Sequence, residues 1–158
     1  MEQHSDNSYT TRSAHRILVI DDDPTLIALI TDSLRLVGGY EVIAATDGAS
    51  GLERYFEMAP DCVVVDIRMP GLNGFQFLHA MRGDPQTADI PIIVLSALAQ
   101  DHYEMAGMLA GADTYILKPV KMVDLLDAVT SVMRLSPSDR RERNTWLSGG
   151  SAPEGGIA

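Results

Sequence analysis

Five short runs rich in Val and Ile alternate with five stretches of helical periodicity, and this alternation constrains the fold more than any other feature of the chain. The runs at 17–20, 41–45, 62–65, 92–95 and 114–117 have the length and continuous apolarity of strands buried on both faces. Between them, residues 24–37 place Ile27, Ile30, Leu34 and Val37 on one helical face, with Asp23 as N-cap, Pro24 at the first helical position and Gly38 just past the end. Helical stretches at 48–58, 74–82, 100–110 and 122–133 follow, with Gly83 and Gly111 as C-terminal stops. Parallel strands require crossover connections, so the pattern specifies an α/β domain with a mostly parallel sheet.

Composition narrows the function. The 158 residues carry 12 Lys and Arg against 22 Asp and Glu, a net charge of −10. A general nucleic-acid binder needs clustered cations and is excluded for this segment. The single cysteine, Cys62, cannot form an intramolecular disulfide, which fits a reduced, cytoplasmic setting. The longest nearly unbroken apolar stretch, 90–99, is about half the roughly 20 residues of a membrane helix, and the polar N-terminus lacks a signal peptide's apolar core. We therefore expect a soluble cytoplasmic protein with no membrane partner. Residues 1–15 read as a disordered extension and 16–134 as the domain. Residues 135–158 read as a flexible tail or linker, because Ser136, Pro137, Gly149, Gly150 and Pro153 break any periodicity. A basic cluster of Arg140, Arg141 and Arg143 lies there; a docking peptide that orders on a partner is the other reading of this segment.

In an open parallel sheet, ligands bind beyond the carboxyl ends of the strands. The first strand is followed by Asp21, Asp22 and Asp23, the third by Asp66, the fourth by Ser96, and the fifth by Lys118 and Pro119. Only the second ends without chemistry. Carboxylates gathered this way repel one another unless a cation intervenes, and an all-oxygen donor set suits Mg²⁺. An Asp beside such a cation can act as a nucleophile toward phosphorus, with Lys118 neutralising one phosphoryl oxygen and Ser96 donating to another. The strand ends point to phosphoryl transfer.

The segments 17–24 (Ile-Leu-Val-Ile-Asp-Asp-Asp-Pro), 63–74 (Val-Val-Val-Asp-Ile-Arg-Met-Pro-Gly-Leu-Asn-Gly), 92–97 (Ile-Ile-Val-Leu-Ser-Ala) and 115–119 (Tyr-Ile-Leu-Lys-Pro) resemble the four signatures of the response-regulator receiver domain of two-component signalling. The resemblance spans about 16–134. It implies a flavodoxin-like (βα)₅ fold, a doubly wound five-stranded sheet in the order 2-1-3-4-5. It implies Asp66 as phosphoacceptor, Asp21 and Asp22 as the acidic pair, and Mg²⁺ held by Asp22, Asp66 and the backbone carbonyl of Arg68. It further implies Lys118 as the phosphoryl-contacting lysine, a cis bond between Lys118 and Pro119, and Ser96 with Tyr115 as the switch pair. Asp23 is an extra acid, an N-cap first and a metal assistant second. Phosphate would come from a histidine kinase or phosphotransfer protein. The face built by the fourth expected helix, the fifth strand and the fifth helix would bind a downstream protein or a second copy.

A rival class remains open at this point. Asp21-Asp-Asp-Pro-Thr25 also fits the Asp-x-Asp-x-Thr pattern of haloacid-dehalogenase-like phosphatases, with Asp21 as nucleophile. In that reading Asp66 and its Met-Pro-Gly loop have no task, and the expected late acidic pair falls on Asp124 and Asp127, inside a helical stretch. Output is also open: the chain reads either as a free-standing regulator or phosphorelay shuttle, or as the receiver fragment of a larger regulator.

Overall fold

The computed structural model describes residues 14–97, 111–140 and 142. Strands β1 (Arg16–Ile20), β2 (Glu41–Ala45), β3 (Cys62–Asp66), β4 (Ile92–Ser96) and β5 (Thr114–Leu117) form one parallel sheet in the order β2-β1-β3-β4-β5. Helices α1 (Pro24–Leu36), α2 (Gly48–Met58) and α3 (Gly74–Gly83) connect the first four strands, and a long helix Met122–Arg134 follows β5. The expected helix at 100–110 lies outside the described residues.

The alternation of side chains along each strand sorts the core into two layers. Ile17 and Val19 of β1, Val64 of β3, and Ile93 and Leu95 of β4 pack with Ile30 and Leu34 of α1 and with Leu125, Val129 and Val132 of the last long helix. Leu18, Ile20, Val63, Val65, Ile92 and Val94 point the other way, toward Phe77, Leu78 and Met81 of α3 and the α2 residues Leu52, Tyr55 and Met58. The inner strands β1, β3 and β4 are covered on both faces, which is why they read as continuous apolar runs. The edge strands depart from the expected two-sided burial: β2 exposes Glu41 and Ala44, and β5 is only partly buried, because each has a neighbouring strand on one side alone. Cys62 lies within this core, fully buried and without a disulfide. Burial pushes its thiol up, away from the reactive thiolate.

Helix starts follow the sequence closely. Asp23 caps α1, its side chain accepting from the Thr25 and Leu26 N–H groups. Asn73 and Gln76 form a reciprocal capping box at α3. One face assignment differs. Val37, expected on the buried face of α1, is 74% exposed. The helix ends at Leu36 and Val37 serves as its C-cap. The chain then turns through Gly38 and Gly39, the latter at φ +70, and Tyr40 packs against the core instead, its N–H donating to the Leu34 carbonyl at 3.0 Å.

Leu34 and Leu36 sit two residues apart on α1, yet one is fully buried and the other 84% exposed. Leu34→Ala is expected to cost about 2–5 kcal/mol in urea unfolding, and Leu36→Ala to stay within about 0.5 kcal/mol. Equal losses would mean that α1 docks on a different face.

Candidate acidic site at the carboxyl edge of the sheet

Register brings the strand-end residues together. Ile20 pairs with Val65, so Asp21 and Asp66, each one position further on, lie level on adjacent strands. Asp66 pairs with Leu95, Ser96 with Leu117, and Lys118 follows directly. Adjacent strands lie about 4.8 Å apart, so only a long side chain starting beyond β5 can reach β3 and β1. Lys118 does so: its Nζ lies 3.1 Å from Asp21 Oδ2 and 3.2 Å from Asp66 Oδ2. Asp21 is fully buried, and its other oxygen accepts from the Asp23 N–H at 2.8 Å. Asp22 is exposed, and one oxygen from each of Asp21, Asp22 and Asp66 falls within a 4.8 Å cluster. This is the one such potential metal-holding group among the described residues. A cleft of about 510 Å³ opens beside it, lined by Asp22, Arg68, Met69, Pro70, Asn73 and Phe75 among others.

The loop after β3 explains its own sequence. Gly71 adopts φ +76, a conformation that L side chains rarely take. A Cβ on Gly74 would lie 2.4 Å from the Asp66 carbonyl oxygen and 2.7 Å from the Ile67 Cα, so only glycine lets α3 start this close to the end of β3. The Gly74 N–H donates to the Ile67 carbonyl at 3.0 Å and ties the loop shut. Asp66 is thus held on a rigid support.

The other candidate residues are placed as follows. Ser96 is buried at the end of β4, and its carbonyl accepts from the Lys118 N–H at 2.7 Å. Tyr115 is half-buried and packs against the core layer on the α2–α3 side. The Lys118–Pro119 peptide is cis. Arg68 is exposed and its N–H donates to Asp66. Asp23 is occupied as the α1 N-cap. His79 is exposed on α3, apart from the cluster.

The electrostatics of the cluster are set by burial and by the charges it gathers. Burial, and then the Asp21 carboxylate, raise the Asp66 carboxyl above its ordinary range, against the lowering pull of Lys118 and the Arg68 N–H. For Lys118, burial pulls the ammonium down, but the hydrogen bond to Asp21 and the charges of Asp66 and Asp21 outweigh it and raise it. One ammonium among three carboxylates leaves an excess of negative charge and an all-oxygen donor set. That donor chemistry suits Mg²⁺, with Asp22 and the cleft giving access for retained waters.

A pH consequence follows from the Asp66 shift. The folded state holds this proton more tightly than the unfolded chain, so the group's contribution to stability is fully present below the unfolded carboxylate pKa and falls as pH rises through the folded value. Without divalent metal at pH 7, Asp66→Asn is therefore expected to raise the urea midpoint. The gap to the parent chain should close on acidification toward about pH 4. A variant less stable than its parent at pH 7 would contradict the electrostatics.

Comparison with known proteins agrees with this arrangement. The response regulator receiver domain family matches residues 17–130. The transcriptional regulatory protein PrrA of Mycobacterium tuberculosis is 40% identical over 119 residues, covering 75% of this chain and 50% of that protein. Protein PilH of Pseudomonas aeruginosa is 36% identical over 118 residues, covering 75% and 97%. The chain spans about half the length of the first curated relatives it matches, among them the DNA-binding regulator RpaA of Synechocystis, at 49%. The chemotaxis response regulator CheY4 of Vibrio cholerae superposes with a TM-score of 0.69 at 28% identity, covering 76% of this chain and 99% of that one. A receiver domain protein from Clostridium thermocellum gives 0.66 at 31%, covering 75% and 94%. These matches do not favour the phosphatase reading. From the signatures at four strand ends, the geometry they produce and the family match over 17–130, the chain belongs to the response regulator receiver domain family of two-component signalling.

Proposed function

We propose that this receiver accepts a phosphoryl group on Asp66 from the phosphohistidine of a histidine kinase or phosphotransfer protein. The observation that carries the reading is the Lys118 ammonium bridging two buried carboxylates, 3.1 Å from Asp21 and 3.2 Å from Asp66, with Asp22 alongside. An Asp66 oxygen attacks phosphorus, an acyl-phosphate bond forms, the P–N bond to the donor imidazole breaks, and the leaving nitrogen takes a proton. Asp21, Asp22, Asp66 and the Arg68 carbonyl would hold Mg²⁺, which when bound supplies positive charge to the phosphoryl oxygens. Lys118 turns from its carboxylate partners toward a phosphoryl oxygen, and the Ser96 hydroxyl donates to another. The chain catalyses its own phosphorylation and dephosphorylation and no other reaction.

Output follows from the added charge, about −2 at most. Ser96 drawn toward the phosphoryl group frees space at β5, and Tyr115 turns into it. This biases the face that carries β5 and Met122–Arg134 toward a second arrangement that binds a partner or a second copy. The names of RpaA and PrrA support transcriptional output through a further segment or partner. The acidic receiver itself does not bind DNA. A cytoplasmic switch fits the regulator relatives such as PrrA; no described helix is long and apolar enough to cross a membrane.

Incubation with Mg²⁺ and acetyl phosphate, followed by mapping of the modified residue, tests the assignment. Label is expected on Asp66 and absent from Asp66→Asn. Persistence in Asp66→Asn with loss in Asp21→Asn would overturn it in favour of the phosphatase-like nucleophile. Asp22→Asn should raise the Mg²⁺ concentration needed for half-maximal labelling roughly tenfold or more, equivalent to about 1.4 kcal/mol of metal binding.

A further inference from the structure

A second charged network lies at the amino ends of β4 and β5, the pole of the sheet away from the acidic site. Asp113 is 2% exposed and directly precedes β5. Its Oδ2 accepts from the Ile92 N–H at 2.7 Å and from Arg82 Nη2 at 3.0 Å. Arg82 also donates to the carbonyls of Gly111, Ala88 and Ile90, drawing the segments before β4 and β5 onto the end of α3. A further partner comes from beyond the last long helix. Arg140 Nη1 lies 3.2 and 3.3 Å from the two Asp113 oxygens, and its Nη2 donates to the Asp89 carbonyl.

Arg140 is 6% exposed, in a segment expected to be flexible from Leu135 onward. A capped turn delivers it. Leu135 is extended, the Ser136 hydroxyl accepts from the Asp139 N–H at 3.1 Å and donates to its carboxylate at 2.8 Å, and the Arg140 N–H reaches the Ser136 carbonyl at 3.0 Å. Residues 137–140 are helical, with Pro137 at the first position.

We propose that Arg140 is a clasp that fastens the segment after the last long helix to Asp113 and Asp89, so that the chain departs from the amino-end pole of the sheet, opposite Asp66. A guanidinium this deeply buried requires a carboxylate partner, and Asp113 supplies it to two arginines at once. The fork geometry matters: one Arg140 nitrogen faces the carboxylate while another reaches a backbone carbonyl, which the single ammonium of lysine cannot reproduce. The folded unit thereby extends through Arg140. Any domain or peptide that follows starts from the pole that carries no phosphorylation chemistry.

A nitroxide attached at Glu142→Cys in the full chain tests it, since Cys62 is buried and unreactive. Paramagnetic broadening is expected to be markedly stronger at the Ile92 and Asp113 amides than at Asp66 and Lys118, which lie roughly 13–17 Å further along the strands. Adding Arg140→Met should abolish that pattern and speed amide exchange at positions 139 and 140 at least tenfold, and Arg140→Lys should behave like Arg140→Met. Asp113→Asn, in a chain still folded by circular dichroism, should do the same; if it unfolds, Arg140→Met decides alone. Equal broadening at the two poles in the otherwise unsubstituted chain, or an Arg140→Met chain with unchanged broadening and exchange, would overturn the clasp.

Discussion

The functional edge of this molecule depends on one ammonium. Lys118 crosses the ends of the intervening strand to stand between Asp21 and Asp66, and without it the two buried carboxylates would face each other across adjacent strands with no counter-charge. In a partly desolvated site that repulsion is far stronger than in water. The lysine therefore makes the acidic pocket compatible with a stable fold, while the excess of carboxylate keeps the pocket receptive to a hard cation.

Everything else in the fold serves to place these groups. The two apolar layers hold the sheet from both sides, α1 and the last long helix on one face, α2 and α3 on the other. The Gly74 contact brings α3 against the backbone of Asp66 itself, so the carboxylate rests on a helix start rather than on a free loop. At the far pole, Asp113 and Arg82 tie the beginnings of the strands that carry Ser96 and lead to Lys118. The same two strands are thus fixed at one end by an ion-pair network and end at the other beside the acidic cluster.

Much of this was legible in the sequence, for identifiable reasons. Buried parallel strands write themselves as continuous apolar runs, and because sites lie beyond their carboxyl ends the residues that follow, Asp21, Asp22, Asp66, Ser96 and Lys118, are legible as candidates. The four signatures resembling the receiver family then supplied roles that spacing alone does not. Val37 was misplaced because helical periodicity carries no information about where the helix stops; Tyr40, after the glycine turn, fills the position instead. Ser136 and Pro137 were read as breakers, yet Ser-Pro-Ser-Asp is also a helix start, with a hydroxyl cap and an acid three residues on. The Asp113 network had no local signal at all. Its meaning comes from Arg82 and Arg140, 31 and 27 residues away in sequence, and an isolated Asp before a strand looks like any surface acid.

The even alignment of the strand ends has one more consequence. Side chains on a strand alternate faces, so slipping β3 against β1 by a single residue would carry Asp66 off its level with Asp21 and turn its neighbours onto the wrong layer. A chain with misaligned strands cannot assemble the three-carboxylate cluster. The acidic pocket is thereby a built-in readout of correct strand registration: molecules able to gather those oxygens are the ones whose core has closed in the right phase.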